Sequence, residues 1–190
     1  MITITLPDGT KHRAEPGVTL ECLAQSVPHG RRWPVMAAKV DNDLRELTYR
    51  LHHDARVEFV DLGDEDGMRI YRRTGILTLV MAAREVLQGC RVVIQHSLSN
   101  GLYGEIRWRR PLTEAHVGAI EARMHEIARS DLPIERNRIA VSDAVELFRG
   151  DGQMDKVRLL KYRTSDTVNI YQCEWLSDYL YGYMAPSTGY

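Results

Sequence analysis

The chain has 190 residues, enough for one large domain or two small ones, and its 25 lysines and arginines are balanced by 26 aspartates and glutamates. A net charge of −1 excludes a global positive field that would draw it to nucleic acid or anionic lipid, although a local basic patch is compatible with that value. Three scattered cysteines exclude a disulfide framework and a cysteine-based zinc cluster, and they favour a reduced, cytoplasmic setting.

The first sixty residues alternate between strand patterns and one helix pattern. Ile2, Ile4 and Leu6 alternate with threonines, which is typical of a half-buried strand. The pattern then predicts a turn at 7–10, a return strand at 11–15, a short helix capped by Thr19, and strands at 35–40 and 55–60. Two strands, a helix and two more strands predict a β-grasp-like unit.

The acidic, glycine-containing segment 63–67 predicts a domain junction. Apolar residues at helical spacing predict one long helix at 68–87. The remainder predicts strands at 90–94 and 102–108 joined by a turn at 99–101, a helix after Thr113, a strand at 134–141, a helix capped by Ser142, a helix at 154–160 and a strand at 167–172. The expected fold class is therefore α+β. No apolar run approaches the ~18 residues that cross a bilayer, so no membrane partner is expected.

The densest basic clusters are Arg31-Arg32, which is typical of a solvated surface, and Arg107 to Arg110, with Trp108 among them. Such a cluster can stack against and clamp single-stranded RNA. It can equally be a solvated surface, or a set of charges that keeps the edge of a strand from pairing with another strand. The sequence leaves these alternatives open.

Residues 2–60 resemble a TGS domain, a β-grasp module found in threonyl-tRNA synthetases, certain GTPases and stringent-response enzymes. The match is carried by Leu6-Pro7-Asp8-Gly9-Thr10, by the segments 16–19 and 37–41, and by Leu44, Leu47 and Leu51. The resemblance implies an appended module that contacts a ligand or RNA and performs no chemistry.

Residues 68–185 resemble the second appended domain of threonyl-tRNA synthetase, which hydrolyses mischarged tRNA. The match is carried by Asn100-Gly101-Leu102-Tyr103, by Leu112-Thr113, by the helix at 120–127 and by the segment 178–186. Together the two resemblances imply a β-grasp domain followed by an α+β threonyl-/alanyl-tRNA-synthetase editing-like domain, in the order that the synthetase has.

The editing site of that family uses HxxxH on its first helix and CxxxH near its end. At the four matching positions this chain has Arg73, Leu77, Leu180 and Met184. Zinc requires nitrogen, sulfur or carboxylate ligands, and water activation requires a base, so these four residues support neither. No metal and no cofactor are therefore expected.

Three further positions of the family's pocket match Tyr103, Lys156 and Asp178. Each also has a structural interpretation, as a half-buried strand aromatic, a solvated helix residue, and a cap or turn residue. We expect Leu77, Leu180 and Met184 to pack together in the cleft that corresponds to the family's editing site, which we call the old cleft. We expect Arg73 to pair with Asp178, to bind an anionic ligand or to reach solvent, because a buried guanidinium needs a partner.

The same pair of domains also resembles the N-terminal half of bacterial P-loop uridine or nucleoside kinases, through His96-Ser97-Leu98 and the stretch Tyr181 to Tyr190. No G-x-x-x-x-G-K-[ST] loop is present in these residues. The implied organisation is a TGS domain at 1–62, a junction at 63–67, a degenerate editing-like domain at 68–186, and at 187–190 the start of a linker towards a C-terminal kinase domain.

The expected function is that of a non-catalytic accessory region of such a kinase, which binds a small ligand or RNA or regulates the kinase. One alternative is an aminoacyl-tRNA deacylase that works with Tyr103, Lys156, Asp178 and the substrate's hydroxyls in place of the usual His/Cys site. A purely structural role is the third alternative.

Overall fold

The computed structural model describes residues 1–99 and 101–190, and it has the mixed α+β architecture that the sequence predicts. Asn100, which belongs to the predicted turn and to one of the matched motifs, lies outside the described residues. The described chain forms two compact units: residues 1–132 with 183–190, and residues 133–182. The predicted boundaries at 62, 67 and 186 stay a prediction.

The first part of the first unit is a five-stranded sheet with strand order β2-β1-β7-β4-β5. Strands β1 and β7 are parallel and the other pairs are antiparallel, while a small β3-β6 pair lies apart. Its elements are β1 (Ile2–Thr5), β2 (Lys11–Ala14), β3 (Val18–Thr19), α1 (Leu20–Ser26), β4 (Val35–Val40), β5 (Asp43–Glu46), β6 (Arg50–Leu51) and β7 (Ala55–Asp61).

Helix α1 begins where the sequence predicts, since the Thr19 hydroxyl accepts a hydrogen bond from the Cys22 backbone amide at 3.2 Å. The helix buries Leu20 and Leu23 in a core shared with alternate residues of β1 and β7, such as Ile4. The two short strands and β5 were not predicted. The two-residue strands are too short to show a period of two, and β5, with the sequence Asp-Leu-Arg-Glu, has a single apolar residue and so shows no alternation.

The second part of the first unit is built from α2 (Glu65–Val86), the hairpin of β8 (Arg91–Leu98) and β9 (Gly101–Arg107), and α3 (Glu114–Arg129). Helix α3 begins with a capping box, in which Thr113 and His116 each bond the other's backbone amide. Helices α2 and α3 pack against each other. Residues 183–190, which we call the strap, return to this unit and bond to both helices.

The predicted junction at 63–67 contains the first turn of α2. Asp64 is the N-cap, and Glu65 and Asp66 occupy the first turn, where carboxylates favour the positive end of the helix dipole. Gly67 is buried, and a Cβ atom at this position would overlap the backbone carbonyl of Asp61. Gly67 therefore allows α2 to approach β7 closely. In the sequence, a glycine beside acidic residues is also typical of a linker.

The second unit is a three-stranded antiparallel sheet with order β10-β11-β12, accompanied by two helices. Its elements are β10 (Glu135–Ala140), α4 (Val141–Gly150), α5 (Met154–Leu160), β11 (Thr167–Cys173) and β12 (Leu176–Asp178). Phe148, Val157 and Ile170 belong to its core. The prediction that Ser142 caps a helix is wrong. Helix α4 begins at Val141 after Ala140, with no side-chain cap.

Among the described residues, no helix is both long and apolar enough to cross a membrane.

Replacing Gly67 with alanine tests the tight approach of α2 to β7. We expect the free energy of unfolding to fall by about 1–3 kcal/mol, because the added methyl meets backbone that cannot rotate away. Alanine at Gly118 of α3, which meets nothing within 4 Å, is the matched control and should stabilise by up to ~1 kcal/mol through helix propensity. Urea unfolding of both variants measures this. Equal effects at the two glycines would contradict the packing.

Candidate functional site

Helix α2 carries two of the residues predicted at the old cleft, Arg73 and Leu77, one turn apart. Leu77 is fully buried. Arg73 is half-buried and donates from its guanidinium to the backbone carbonyl of Tyr183 at 3.3 Å. The Ala185 amide donates to the Thr74 hydroxyl at 3.0 Å.

These two bonds bracket a third predicted residue, Met184, and hold its backbone beside α2. The Met184 side chain is 1% exposed. At three of the positions that the resemblance assigns to imidazoles, the first unit has a buried leucine, a buried methionine, and a guanidinium bonded to main chain.

The hairpin of β8 and β9 carries Tyr103, which is 42% exposed. Its ring stacks on His96 of the opposite strand, with centroids 5.1 Å apart and an interplanar angle of 29°. Its hydroxyl lies 3.5 Å from the Glu105 carboxylate. That carboxylate also accepts from Gln95 at 2.7 Å and from Arg107 at 2.9 Å and 3.0 Å. The hydrogen bonds from Arg107 lower the pKa of Glu105, so it is ionised at neutral pH.

The base of this hairpin is basic and aromatic. Arg91 and Arg107 are direct cross-strand partners. The Trp108 indole nitrogen donates to the Gln88 carbonyl at 3.1 Å, and the Arg109 guanidinium lies 5.6 Å from the centroid of the Trp108 ring. We call Arg91, His96, Tyr103, Arg107 and Arg109 the hairpin surface. Sequence reasoning missed Arg91 and His96 as members, because only the strand register pairs them with Arg107 and Tyr103.

In the second unit, Lys156 of α5 forms an ion pair with Asp178 of β12. Their side chains are 18% and 9% exposed, and the Lys156 ammonium lies 5.3 Å from the centroid of the Phe148 ring. Lys156 is therefore a nearly buried charge and not the solvated residue of its structural interpretation. Leu180 follows two residues after Asp178 and is half-buried. The expected pairing of Arg73 with Asp178 stays a prediction.

Two of the three cysteines, Cys90 and Cys173, are buried, and Cys22 is exposed. Burial raises the pKa of Cys173 to about 11 and also raises the pKa of Cys90, so both thiols stay protonated at neutral pH. Within residues 1–99 and 101–190, no three His, Cys, Asp or Glu side chains lie close enough together to hold a metal ion.

No family model matches the chain. Along nearly its whole length it is similar to threonine–tRNA ligases. It is 32% identical over 187 residues to the enzyme of Pelobacter propionicus, covering 98% of this chain and 29% of that protein. It is 33% identical over 192 residues to the enzyme of Marinobacter nauticus and 30% identical over 190 residues to that of Methylococcus capsulatus, covering 100% of this chain and 30% of each protein. The chain therefore spans about 30% of the length of the curated relatives it matches.

The Lys156–Asp178 pair generates a stability prediction. Lys156→Met keeps the apolar stem over Phe148 but leaves the Asp178 carboxylate without its cation. We expect a loss of about 2–4 kcal/mol, slightly below the range for fully buried pairs because both side chains keep some contact with water.

The double variant Lys156→Met/Asp178→Leu is the control, and it should recover much of that loss. Urea unfolding of the single and double variants measures the coupling. A Lys156→Met variant as stable as the unmodified chain would contradict the ion pair.

Proposed function

We propose that this chain is a non-catalytic accessory region that binds tRNA through the hairpin surface. The proposal rests on one observation, the exposed Tyr103–His96 stack on the hairpin whose base pairs Arg91 with Arg107. The similarity to proteins named threonine–tRNA ligases favours tRNA over other RNA. Regulation of a neighbouring domain is compatible with the same binding.

The chemistry of the hairpin surface suits an unpaired RNA strand. The exposed face of Tyr103 can take a base onto the existing stack, and stacking of this kind contributes about 1–3 kcal/mol per base. Arg91 and Arg109 supply guanidinium groups for phosphates, and Arg107, two of whose nitrogens already bond Glu105, offers its remaining terminal nitrogen. Because the net charge of the whole chain is −1, binding depends on this local patch and should weaken steeply with salt.

The non-catalytic part of the proposal rests on the four replaced positions. Leu77 and Met184 are buried apolar side chains, Leu180 has no proton to exchange, and Arg73 is a permanent cation. None of them can hold zinc or act as a general base at neutral pH. The rival deacylase would have to rely on Tyr103, Lys156 and Asp178. Lys156 and Asp178 already form an ion pair with each other. Neither is therefore an independent acid or base for a substrate.

The finer form of the proposal places this region before the P-loop domain of a uridine or nucleoside kinase in the cytoplasm. It rests on the stretch Tyr181 to Tyr190 and on His96-Ser97-Leu98 alone. Reading the gene beyond the codon for Tyr190 tests it. A G-x-x-x-x-G-K-[ST] loop shortly downstream would support the kinase, whereas the remaining domains of a threonine–tRNA ligase would replace that part of the proposal.

Binding of tRNA to the hairpin surface is tested by fluorescence anisotropy. We expect Tyr103→Ala to weaken binding by about 5- to 150-fold, the equivalent of one lost stack, and Tyr103→Phe to bind like the unmodified chain. Arg107→Gln should lower the salt slope of log K by about 1. Tyr162→Ala, at an exposed tyrosine of the second unit, is the control and should have no effect. Tight tRNA binding that ignores Tyr103→Ala would contradict the assignment.

The loss of metal ligands is tested by elemental analysis. We expect the purified chain, after dialysis against buffer containing zinc, to retain far less than one zinc per chain, because thiolate and imidazole ligands are missing from the four positions. One tightly held zinc per chain would contradict the proposed loss of chemistry.

A further inference from the structure

A second feature of the first unit lies outside the hairpin surface and the replaced positions. It is an open-sided cavity of about 410 Å³ between α2, α3 and the strap, within the size range of small-molecule sites. Gly75 lines it, about 200° around α2 from both Arg73 and Leu77, so the cavity opens on the opposite side of the helix from them. We call it the strap cavity.

Gly75 is the first sign that the space is kept open. It sits in the middle of a 22-residue helix, where glycine costs about 1 kcal/mol relative to alanine. A Cβ atom there would meet nothing within 4 Å. At Gly67 a close backbone explains the glycine, but at Gly75 nothing within the described chain does. Any side chain at this position would project into the strap cavity.

The floor of the cavity presents hydrogen-bond acceptors. The Thr78 hydroxyl is buried and donates its proton to the Thr74 carbonyl at 3.0 Å. The Thr74 hydroxyl donates to the Ile70 carbonyl at 3.1 Å and accepts from the Ala185 amide. Because the Thr78 hydroxyl already donates its proton to the Thr74 carbonyl, its oxygen can only accept a hydrogen bond from a ligand. It therefore favours a ligand that carries an N–H donor.

The walls are aromatic and the rim carries both charges. Tyr71 of α2 and Tyr190 of the strap both line the cavity. The Tyr190 hydroxyl is held in place because it donates a hydrogen bond to Glu21 at 2.6 Å. Met124 adds a polarisable thioether. Arg72 of α2 and Glu121 of α3 contribute one charge of each sign at the rim.

We propose that the strap cavity binds a small aromatic zwitterion. The ring lies against Tyr71, Tyr190 and Met124, the ammonium group is held by Glu121 and the Thr78 oxygen, and the carboxylate is held by Arg72. This site is independent of tRNA binding by the hairpin surface, so either proposal can fail without the other.

The test uses isothermal titration calorimetry of the full chain with four probes that share one ring: tryptophan, tryptamine, indole-3-propionate and indole. We expect tryptophan to bind about tenfold more tightly than each of the others, because each of them lacks at least one charge-assisted hydrogen bond. No binding of any probe at millimolar concentration would overturn the proposal. Tighter binding of tryptamine or indole-3-propionate than of tryptophan would overturn the zwitterion assignment.

Gly75→Leu should abolish tryptophan binding while leaving the unfolding midpoint unchanged or higher, because it fills the cavity and removes a helix glycine. Gly118→Ala, in a helix but outside the cavity, is the matched control and should bind normally. Amide shift mapping on the unmodified chain gives a readout that needs no variant, with changes expected at Gly75, Thr78 and Glu121. Unchanged binding by Gly75→Leu, or shifts confined to another part of the chain, would overturn the site.

Discussion

One buried threonine, Thr188, joins the strap to the end of α3 and to Leu132. Its hydroxyl donates to the Ile127 carbonyl at 2.8 Å and accepts from the Leu132 amide at 2.9 Å, and its own amide donates to the Leu132 carbonyl at 2.9 Å. The chain leaves the unit after Leu132 and returns to it only at Tyr183. These three bonds therefore join the point of exit to the strap and satisfy polar groups at the end of α3 that would otherwise be buried without partners.

Two sites follow from the seating of the strap. Its beginning holds the Met184 backbone beside α2, next to the Arg73 and Thr74 contacts, and buries the Met184 side chain, at a position that the resemblance matches to a ligand of the editing site. Its end places Tyr190 in the lining of the strap cavity together with Gly75. The Tyr190 hydroxyl donates to Glu21 of α1, so the strap also bonds to the part of the unit that contains the sheet. The proposed loss of one site and the proposed presence of the other thus both involve the strap.

Local signals in the sequence were sufficient for the fold class and for features such as the Thr19 cap, because alternation, helical spacing and capping act between near neighbours. The sequence did not reveal the packing role of Gly67, since a glycine among acidic residues is typical of a linker and its contact with Asp61 is visible only in three dimensions. In the candidate site, the four replaced positions were identified only through the resemblance to the editing domain of threonyl-tRNA synthetase. The Tyr103–His96 stack was not predictable, because it depends on a hairpin register with an irregularity between residues 94 and 96.

We propose that this chain has a surface for tRNA and lacks the chemistry of hydrolysis. One measurement tests both parts: the chain is held in excess over mischarged aminoacyl-tRNA, and the bound fraction and the intact ester are followed in the same sample. We expect the tRNA to be bound and its ester to decay at the rate seen in buffer alone. Rapid loss of the ester upon binding would contradict it.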